Sequence, residues 1–541
     1  MADYKTHLTA LAETAAAYPT TLAFQLPIIN EQDGRVQKWQ PITYRDFHAD
    51  VEHFATYWSD VLESDGVMPR SVVGLWLGGL TYVDIVHIYA IARAGYIPQL
   101  FSLKLPNPEI IYELLQKANA KALIFEAAYT PDLTNCHVPT HAATDVRGRD
   151  LSGIRVPPMT DLTTVRGTDT VVIFHTSGST SGCPKLIPCS YSWLTNILAE
   201  AKDVCQPLRL DSQDVTDFIG SSCHIGQTYM LLGAIQNAAC TIQPTRVDFS
   251  SDELLDMIAR CGLNRLRQFP AFLGIHMRNS RLNPKLLAQL CALDEIFYSG
   301  QAMPQEDEEW AYKNDMNLIN VFANTECGIM LTSIRGGGRP GPALRPIAGV
   351  KYGFFPVAGT DGQSHGAYQN LNSNLVELVI LGDSPNCPDP SLRAADGHYH
   401  TGDLFLEVQP GAYISRGRND DWIKSSTALR CDTKAIEDNV RATCEDLVSQ
   451  CVVVGNGRPS PVLFIEVNPT LRMDAERVKK DILRRTRHFH SRRYMHERIT
   501  SAKMIMVVPA GTLPRTATKG NIRRRAVEDM FKTELDAIFS A

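Results

Sequence analysis

The sequence predicts an α/β protein: a large N-terminal domain of parallel sheets with helices on their faces and a β-rich subdomain, followed by a small, mobile C-terminal α/β domain. Three observations lead there. From the N-terminus to Cys327, short β-branched or aromatic runs alternate with longer runs of helical spacing, the pattern of strands joined by crossover helices. From Gly341 glycine and proline become frequent, as in GGGRPGPALRPIAGV, and short strand-like runs such as LVELVIL follow. After Lys424 helix and strand patterns alternate again in a compact stretch.

The elements follow in order. ITYRDFHADVEHFATYWSDVLE opens with a short strand and continues as a helix; SVVGLWLGG is a strand ending in glycines; TYVDIVHIYAIARAG is an apolar helix stopped at Gly95. IIYELLQKANA and ALIFE repeat helix and strand, and Val171, Val172, Ile173 and Phe174 form a strand that runs into a Gly/Ser/Thr loop. SYSWLTNILAEAKDVC is a helix, and FIGSSCHIGQTYMLLGAIQNAACTI passes from strand to helix with His224 at the changeover. LRQFPAF, EIFYSGQAMP and LINVFANTECG each end a strand-like run with Gly, Pro, Ser or Asn. In open α/β sheets ligands sit at the carboxyl ends of strands, so these ends are expected to converge on one crevice. KAIEDNVRATCEDL, SQCVVVGN, PVLFIEV, ERVKKDILRRTRHF and AKMIMVVP complete the C-terminal unit. A boundary falls near Asn419 to Asp421, giving domains 1–418 and 419–541.

Composition narrows the function. Hydrophobic content is 44%, charged content 21% and net charge −6, which gives no reason to expect nucleic acid or an anionic membrane as partner. Nowhere do about 18 apolar residues follow one another, and the charged N-terminus lacks a signal-peptide core. A cytoplasmic enzyme acting on small molecules is the expectation. The 13 cysteines are scattered singly without a CxxC pair or zinc spacing, so they read as reduced, mostly buried thiols. Cys183 lies within the loop but has no base near it in sequence. Residues 472–498 are rich in Lys and Arg; this is either a solvated face or a docking surface for an acidic partner.

The loop HTSGSTSGCPK at 175–185 has the chemistry of an anion cradle. Gly178 and Gly182 let backbone N–H groups converge, Thr176, Ser177, Ser179, Thr180 and Ser181 add hydroxyls, and Lys185 adds charge. The spacing is not that of a Walker loop.

Four further stretches accompany it: FANTECG at 322–328, YHTGDLF at 399–405, GRNDDWIK at 417–424 and LPRTATKGNIRRR at 513–525. In this order they resemble the ANL superfamily of adenylate-forming enzymes, and in style the adenylation domains of fungal NRPS-like carboxylic acid reductases. The loop is one residue longer than the usual TSGSTGxPK, and Lys519-Gly520 stands where many relatives have Gly-Lys. The resemblance implies ATP and Mg²⁺ as cofactors. The 176–185 loop would hold the β- and γ-phosphates, Glu326 would hold Mg²⁺, and Thr325 would touch the α-phosphate. Asp403 would bind the ribose hydroxyls with Arg418 beside it. Ser299, Gly300, Gln301, Phe322 and Asn324 would line the nucleotide site, Lys519 would be the catalytic lysine, and Asp420 the hinge about which the C-terminal domain swings.

The same resemblance maps a substrate pocket to Ile225, Gly226, Tyr229, Gln268, Phe297, Ser299, Val321, Ile329 and Met330, with His224 beside the carboxylate. Amino-acid-activating relatives carry an aspartate at the place of Ile225, so an ordinary α-amino acid is not expected. An aryl acid or a quaternary ammonium acid of the betaine kind suits the aromatic walls. The acceptor is either the phosphopantetheine thiol of a carrier domain, with a reductase domain downstream, or CoA in a stand-alone ligase. A non-catalytic nucleotide-binding scaffold is the rival from another class.

Overall fold

The computed structural model describes residues 4–30, 32, 34–101, 108–133, 135–176, 185–300, 303–333, 343–357, 375–419, 422–426, 430–469, 473–491, 493, 495–515 and 522–539. The chain divides into two compact units. One is drawn from Met1–Thr176, Leu186–Tyr352 and Ile380–Tyr399, the other from Ser177–Lys185, Gly353–Val379 and His400–Ala541.

The first unit contains two runs of strands. In one the order is Thr140–Ala142, Ala122–Phe125, Val72–Trp76, Ile97–Phe101, Thr170–His175 and Leu186–Ser190. All neighbours there are parallel except the last pair, Thr170–His175 with Leu186–Ser190, which is antiparallel. In the other the order is Leu344–Pro346, Gly328–Ser333, Leu318–Asn324, Glu295–Ser299, Arg265–Gln268, Val215–Asp217, Cys240–Ile242, Leu22–Ile29 and Val36–Thr43. From Leu318–Asn324 to Leu22–Ile29 every pairing is parallel, as the strand-and-helix alternation predicts.

Local chemistry starts the helices where the sequence signals them. Thr43 and Asp46 form a reciprocal capping box at the helix Tyr44–Ser64, and Thr81 and Asp84 do the same at Tyr82–Arg93, each satisfying N–H groups that a helix start leaves open. These helices bury Phe47, Phe54, Trp58 and Tyr82 against the first core. Trp58 Nε1 donates to His87 Nδ1 at 2.9 Å, so a polar atom inside that core is answered by another. At the edge of a second core, Arg265 bridges Asp214 at 2.6 Å and Glu295 at 2.8 Å, with all three side chains almost wholly buried.

The second unit carries the antiparallel pair Tyr399–Gln409 and Ala412–Arg418, a short hairpin of Trp422–Lys424 with Arg430–Asp432, and a three-stranded sheet of Val448–Val454, Val462–Val467 and Ile505–Val508. That sheet is covered on both faces, as strict side-chain alternation shows. Cys451, Val453, Leu463 and Ile465 face a core shared with the helices Thr433–Thr443 and Ala475–Ser491, while Val452, Val454 and Phe464 face the helices Arg524–Met530 and Lys532–Phe539. The helix Ala475–Ser491 buries Val478, Ile482, Thr486 and His490, four residues apart on one face. Its basic residues therefore lie on the remaining surface, where Lys479, Arg484 and Arg485 pair with Glu476, Asp481 and Asp446. None of the described cysteines is in a disulfide, and most are buried. Among the described residues no helix is long and apolar enough to cross a membrane.

Candidate adenylate-forming site

The strands ending at Asp217, Gln268, Ser299 and Asn324 are consecutive and parallel in the first unit, so their carboxyl ends lie on one edge. Three of those ends meet at Phe269. A Cβ on Gly220 would lie 3.3 Å from its ring and a Cβ on Gly300 3.4 Å. Gly300 also has φ +93°, which a side chain would strain. The ring is 37% exposed, so an aromatic face is available beside Ser299 and Gly300. Phe269 was not among the sequence candidates. Its only signal is the aromatic residue between strand and proline in LRQFPAF, and the two glycines that frame it are distant in the chain.

His224 is the N-cap of the helix Ile225–Gln236, and its side chain makes no capping bond. The next residue but one, Gly226, faces open space, since a Cβ there would meet nothing within 4 Å. Ile225, Tyr229, Phe297, Val321 and Ile329 are all buried members of the extensive first hydrophobic core. Met330 is buried as well. Gln268 stands apart from that cluster: it is fully buried, and its Nε2 donates to Asp217 Oδ2 and to the Val247 carbonyl, both at 3.4 Å. Burial pushes the Asp217 carboxyl up to about 7, against the opposing pull of the Arg267 main-chain N–H. Ile225 also lines an internal, largely apolar cavity with Tyr89, Trp193 and Leu231.

Phe322 and Asn324 end the strand Leu318–Asn324, and Thr325, Glu326 and Cys327 form the turn into Gly328–Ser333. Asn324 Oδ1 accepts from the Cys327 N–H at 2.7 Å, which fixes this turn and with it the base of Glu326. A single carboxylate at a turn beside the strand ends suits Mg²⁺, which is commonly held by one or two carboxylates together with substrate phosphates. Among the described residues no group of three or more His, Cys, Asp or Glu is placed to hold a metal by itself.

Thr176 follows directly on His175, whose ring stacks on Phe101 at 4.7 Å and whose Nδ1 bonds the Leu100 carbonyl at 2.9 Å. Burial lowers the His175 pKa to about 4, so this anchor is neutral. Lys185 is exposed. Ser177, Gly178, Ser179, Thr180, Gly182, Gln301, Asp420 and Lys519 lie outside the described residues.

In the second unit Asp403 and Arg418 are paired residues of adjacent strands. Arg418 Nη1 is 3.6 Å from Asp403 Oδ1, with the arginine 41% exposed and the aspartate 12%. Gly402 has φ +70°, and a Cβ there would come within 3.2 Å of Arg418 Nη2. The Thr-Gly-Asp run is thus a strand segment in which glycine admits the guanidinium, whereas Thr401 accepts the Asp403 N–H at 3.0 Å.

Comparison with known proteins matches residues 11–354 to the AMP-binding enzyme family and residues 420–541 to the AMP-binding enzyme C-terminal domain. The chain is 34% identical over 518 residues to the AMP-binding domain-containing enzyme iboA of Amanita muscaria, covering 94% of this chain and 98% of that protein. It is 21% identical over 481 residues to the adenylate-forming reductase stbB of Stachybotrys bisbyi, covering 84% of this chain and 41% of that protein. Among solved structures, the anthranilate CoA ligase AuaEII in complex with anthranoyl-AMP aligns with TM-score 0.70 at 18% identity over 98% of each chain. ATP-bound MatB from Rhodopseudomonas palustris aligns with TM-score 0.71 at 16% identity, covering 97% of this chain and 99% of that one.

Proposed function

The chain belongs to the AMP-binding enzyme family of the ANL superfamily and is an adenylate-forming ligase; from that premise we propose that it activates a small carboxylic acid of the aryl or betaine type. One carboxylate oxygen attacks the α-phosphorus of ATP, the bond from that phosphorus to the bridging oxygen of the β-phosphate breaks, and acyl-AMP and pyrophosphate result. The acyl group then passes to the phosphopantetheine thiol of a carrier domain, ahead of reduction, with AMP as leaving group. The carrier and reductase steps are supported by the similarity to an adenylate-forming reductase.

The acid assignment rests on the residue types at Ile225, Tyr229, Phe297, Val321 and Ile329, all of them buried in the N-terminal hydrophobic core. An aliphatic side chain at 225 offers no ion pair to an α-ammonium, and the aromatic walls favour a planar or quaternary group. His224 sits at the helix start to orient the reacting carboxylate. Ser299, Gly300, Gln301, Phe322 and Asn324 form the walls of the nucleotide site, and the exposed ring of Phe269 beside Gly300 adds an aromatic face.

Thr176, Ser177, Gly178, Ser179, Thr180, Gly182 and Lys185 hold the β- and γ-phosphates. Thr325 contacts the α-phosphate, and Asp403 accepts the ribose hydroxyls with Arg418 alongside. Mg²⁺, when bound by Glu326, neutralises phosphate charge. Lys519 bridges carboxylate and α-phosphate as charge redistributes. The domain 419–541 then turns about Asp420 and withdraws that lysine before the thiol arrives.

A second reading, a stand-alone acyl- or aryl-CoA ligase, is favoured by 25% identity over 204 residues to the anthranilate–CoA ligase of Pseudomonas aeruginosa. One experiment tests both. Acid-dependent ATP–pyrophosphate exchange is measured across aryl, aliphatic and betaine acids, and CoA is then added to look for thioester. Exchange without CoA thioester supports the carrier route, thioester release supports the ligase, and no exchange with any acid leaves only a nucleotide-binding scaffold.

A further inference from the structure

The helix Tyr191–Val204 packs on the helix Ile225–Gln236, and two glycines fix how they meet. A Cβ on Gly328 would lie 3.0 Å from Ile197 Cδ1 and 3.2 Å from Tyr229 Cδ2, so Ile197 and Tyr229 converge over the strand that follows the Glu326 turn. One turn further on, a Cβ on Gly233 would meet the Ala201 carbonyl at 2.6 Å and Cys205 Sγ at 2.5 Å. Glu200 is three residues beyond Ile197 and shares its face, and its carboxyl is close enough to act electrostatically on the Tyr229 and Tyr352 phenols.

Glu200 is 9% exposed and Tyr229 1%. Among the described residues, Glu200 Oε2 and the Tyr229 hydroxyl are both buried without a hydrogen-bond partner. The polar groups next to them are engaged with one another: Asn386 Nδ2 donates to the Tyr352 hydroxyl at 2.5 Å, and Asn386 Oδ1 accepts from Ser384 Oγ at 2.9 Å. Burial alone pushes the Glu200 carboxyl up to about 8, with no opposing cation among the described residues. Native interiors seldom leave two neighbouring polar groups unanswered, and burial keeps this carboxyl protonated unless a positive charge arrives beside it. A positively charged donor would answer both the carboxylate it ionises and the aromatic ring.

We propose that Glu200 and Tyr229 form the distal end of the acyl pocket and select carboxylic acids that carry a cationic nitrogen remote from the reacting carboxylate. This rests on the reading of Tyr229 as a wall of that pocket. It deepens the assignment, since it favours an ammonium-bearing acid over a neutral aryl acid.

The test is pyrophosphate exchange with matched pairs of acids, each ω-ammonio or trimethylammonio acid against its neutral carbon isostere of equal length. For the wild type we expect kcat/KM at least about tenfold higher for the cationic member. In Glu200→Gln that ratio falls by about tenfold or more, chiefly through KM for the cationic acid, and Tyr229→Phe, which keeps the ring, lowers it by less. Melting temperature and ATP affinity of each variant report whether the fold is retained. A wild type that prefers the neutral members overturns the proposal while acyl adenylation stands, as does a ratio unchanged in both variants. Absence of exchange with every acid overturns both.

Discussion

Asp403 stands directly across an antiparallel strand pair from Arg418, whose Nη1 approaches its Oδ1 to 3.6 Å. A carboxylate offers two acceptor oxygens, which is the chemistry a ribose diol requires. Hydrogen bonds to a charged group contribute about 1.5–3 kcal/mol each. Asp403→Ala is therefore expected to raise KM for ATP by roughly 10–100-fold, with KM for the acid changing far less. Equal increases in both would mean that Asp403 supports the fold rather than the nucleotide.

Lys519 carries the sharpest catalytic expectation. Lys519→Ala should lower acid-dependent exchange by about 10²–10³ and leave ATP binding, measured by calorimetry, largely intact. Retained exchange would move the catalytic charge to another residue of the RTATKGNIRRR tail. Lys519→Arg separates charge from geometry, because a planar guanidinium keeps the charge but not the compact ammonium.

The strands, the helices and the shared edge of four strand ends were legible in the sequence because each rests on local pattern: β-branched runs, helical apolar spacing and terminal glycines. Asp403, Glu326 and His224 are proposed from the resemblance of short motifs, and the structure places them on a strand, at a turn and at a helix start. Phe269 and Glu200 were not legible in the sequence. Phe269 gains its setting from Gly220 and Gly300, and Glu200 from Tyr229 and Tyr352, so their settings exist only once distant segments are packed together. In sequence Glu200 reads as one more polar residue on an amphipathic helix, and the raised pKa comes from burial that no local pattern announces.

The buried bridge of Arg265 with Asp214 and Glu295 gives a stability prediction. Removing one partner strands buried charge, which destabilises by about 3–5 kcal/mol. Arg265→Ala should lower the denaturant midpoint of the first unit accordingly, and it adds the loss of bonds from Arg265 Nη1 to the Cys205 and Gln206 carbonyls at the end of the helix Tyr191–Val204. Replacing Arg265, Asp214 and Glu295 together with apolar residues of similar size should recover much of the loss. A midpoint shift below about 1 kcal/mol for the single change would place the bridge among weak surface pairs.

Glu200 makes stability depend on pH in a defined direction. Its carboxyl is held at about 8 in the fold against an ordinary value of 4.5, and the groups facing it, Tyr229 and Tyr352, are phenols whose own pKa values are raised. Below 4.5 both folded and unfolded chains keep the proton, so Glu200 adds no pH dependence. Between 4.5 and 8 the unfolded chain releases the proton that the fold retains, and stability falls as pH rises, by at most about 1.4 kcal/mol per pH unit. Above 8 both states are ionised and the loss levels off. Glu200→Gln stays neutral throughout, so its melting temperature relative to the wild type should rise from pH 5 to pH 8.5. An offset that is constant across this window would show that the carboxyl reaches solvent or a partner in the folded protein. A cationic acid bound with ATP should narrow the same offset at pH 7, because it favours the ionised carboxylate that burial otherwise opposes.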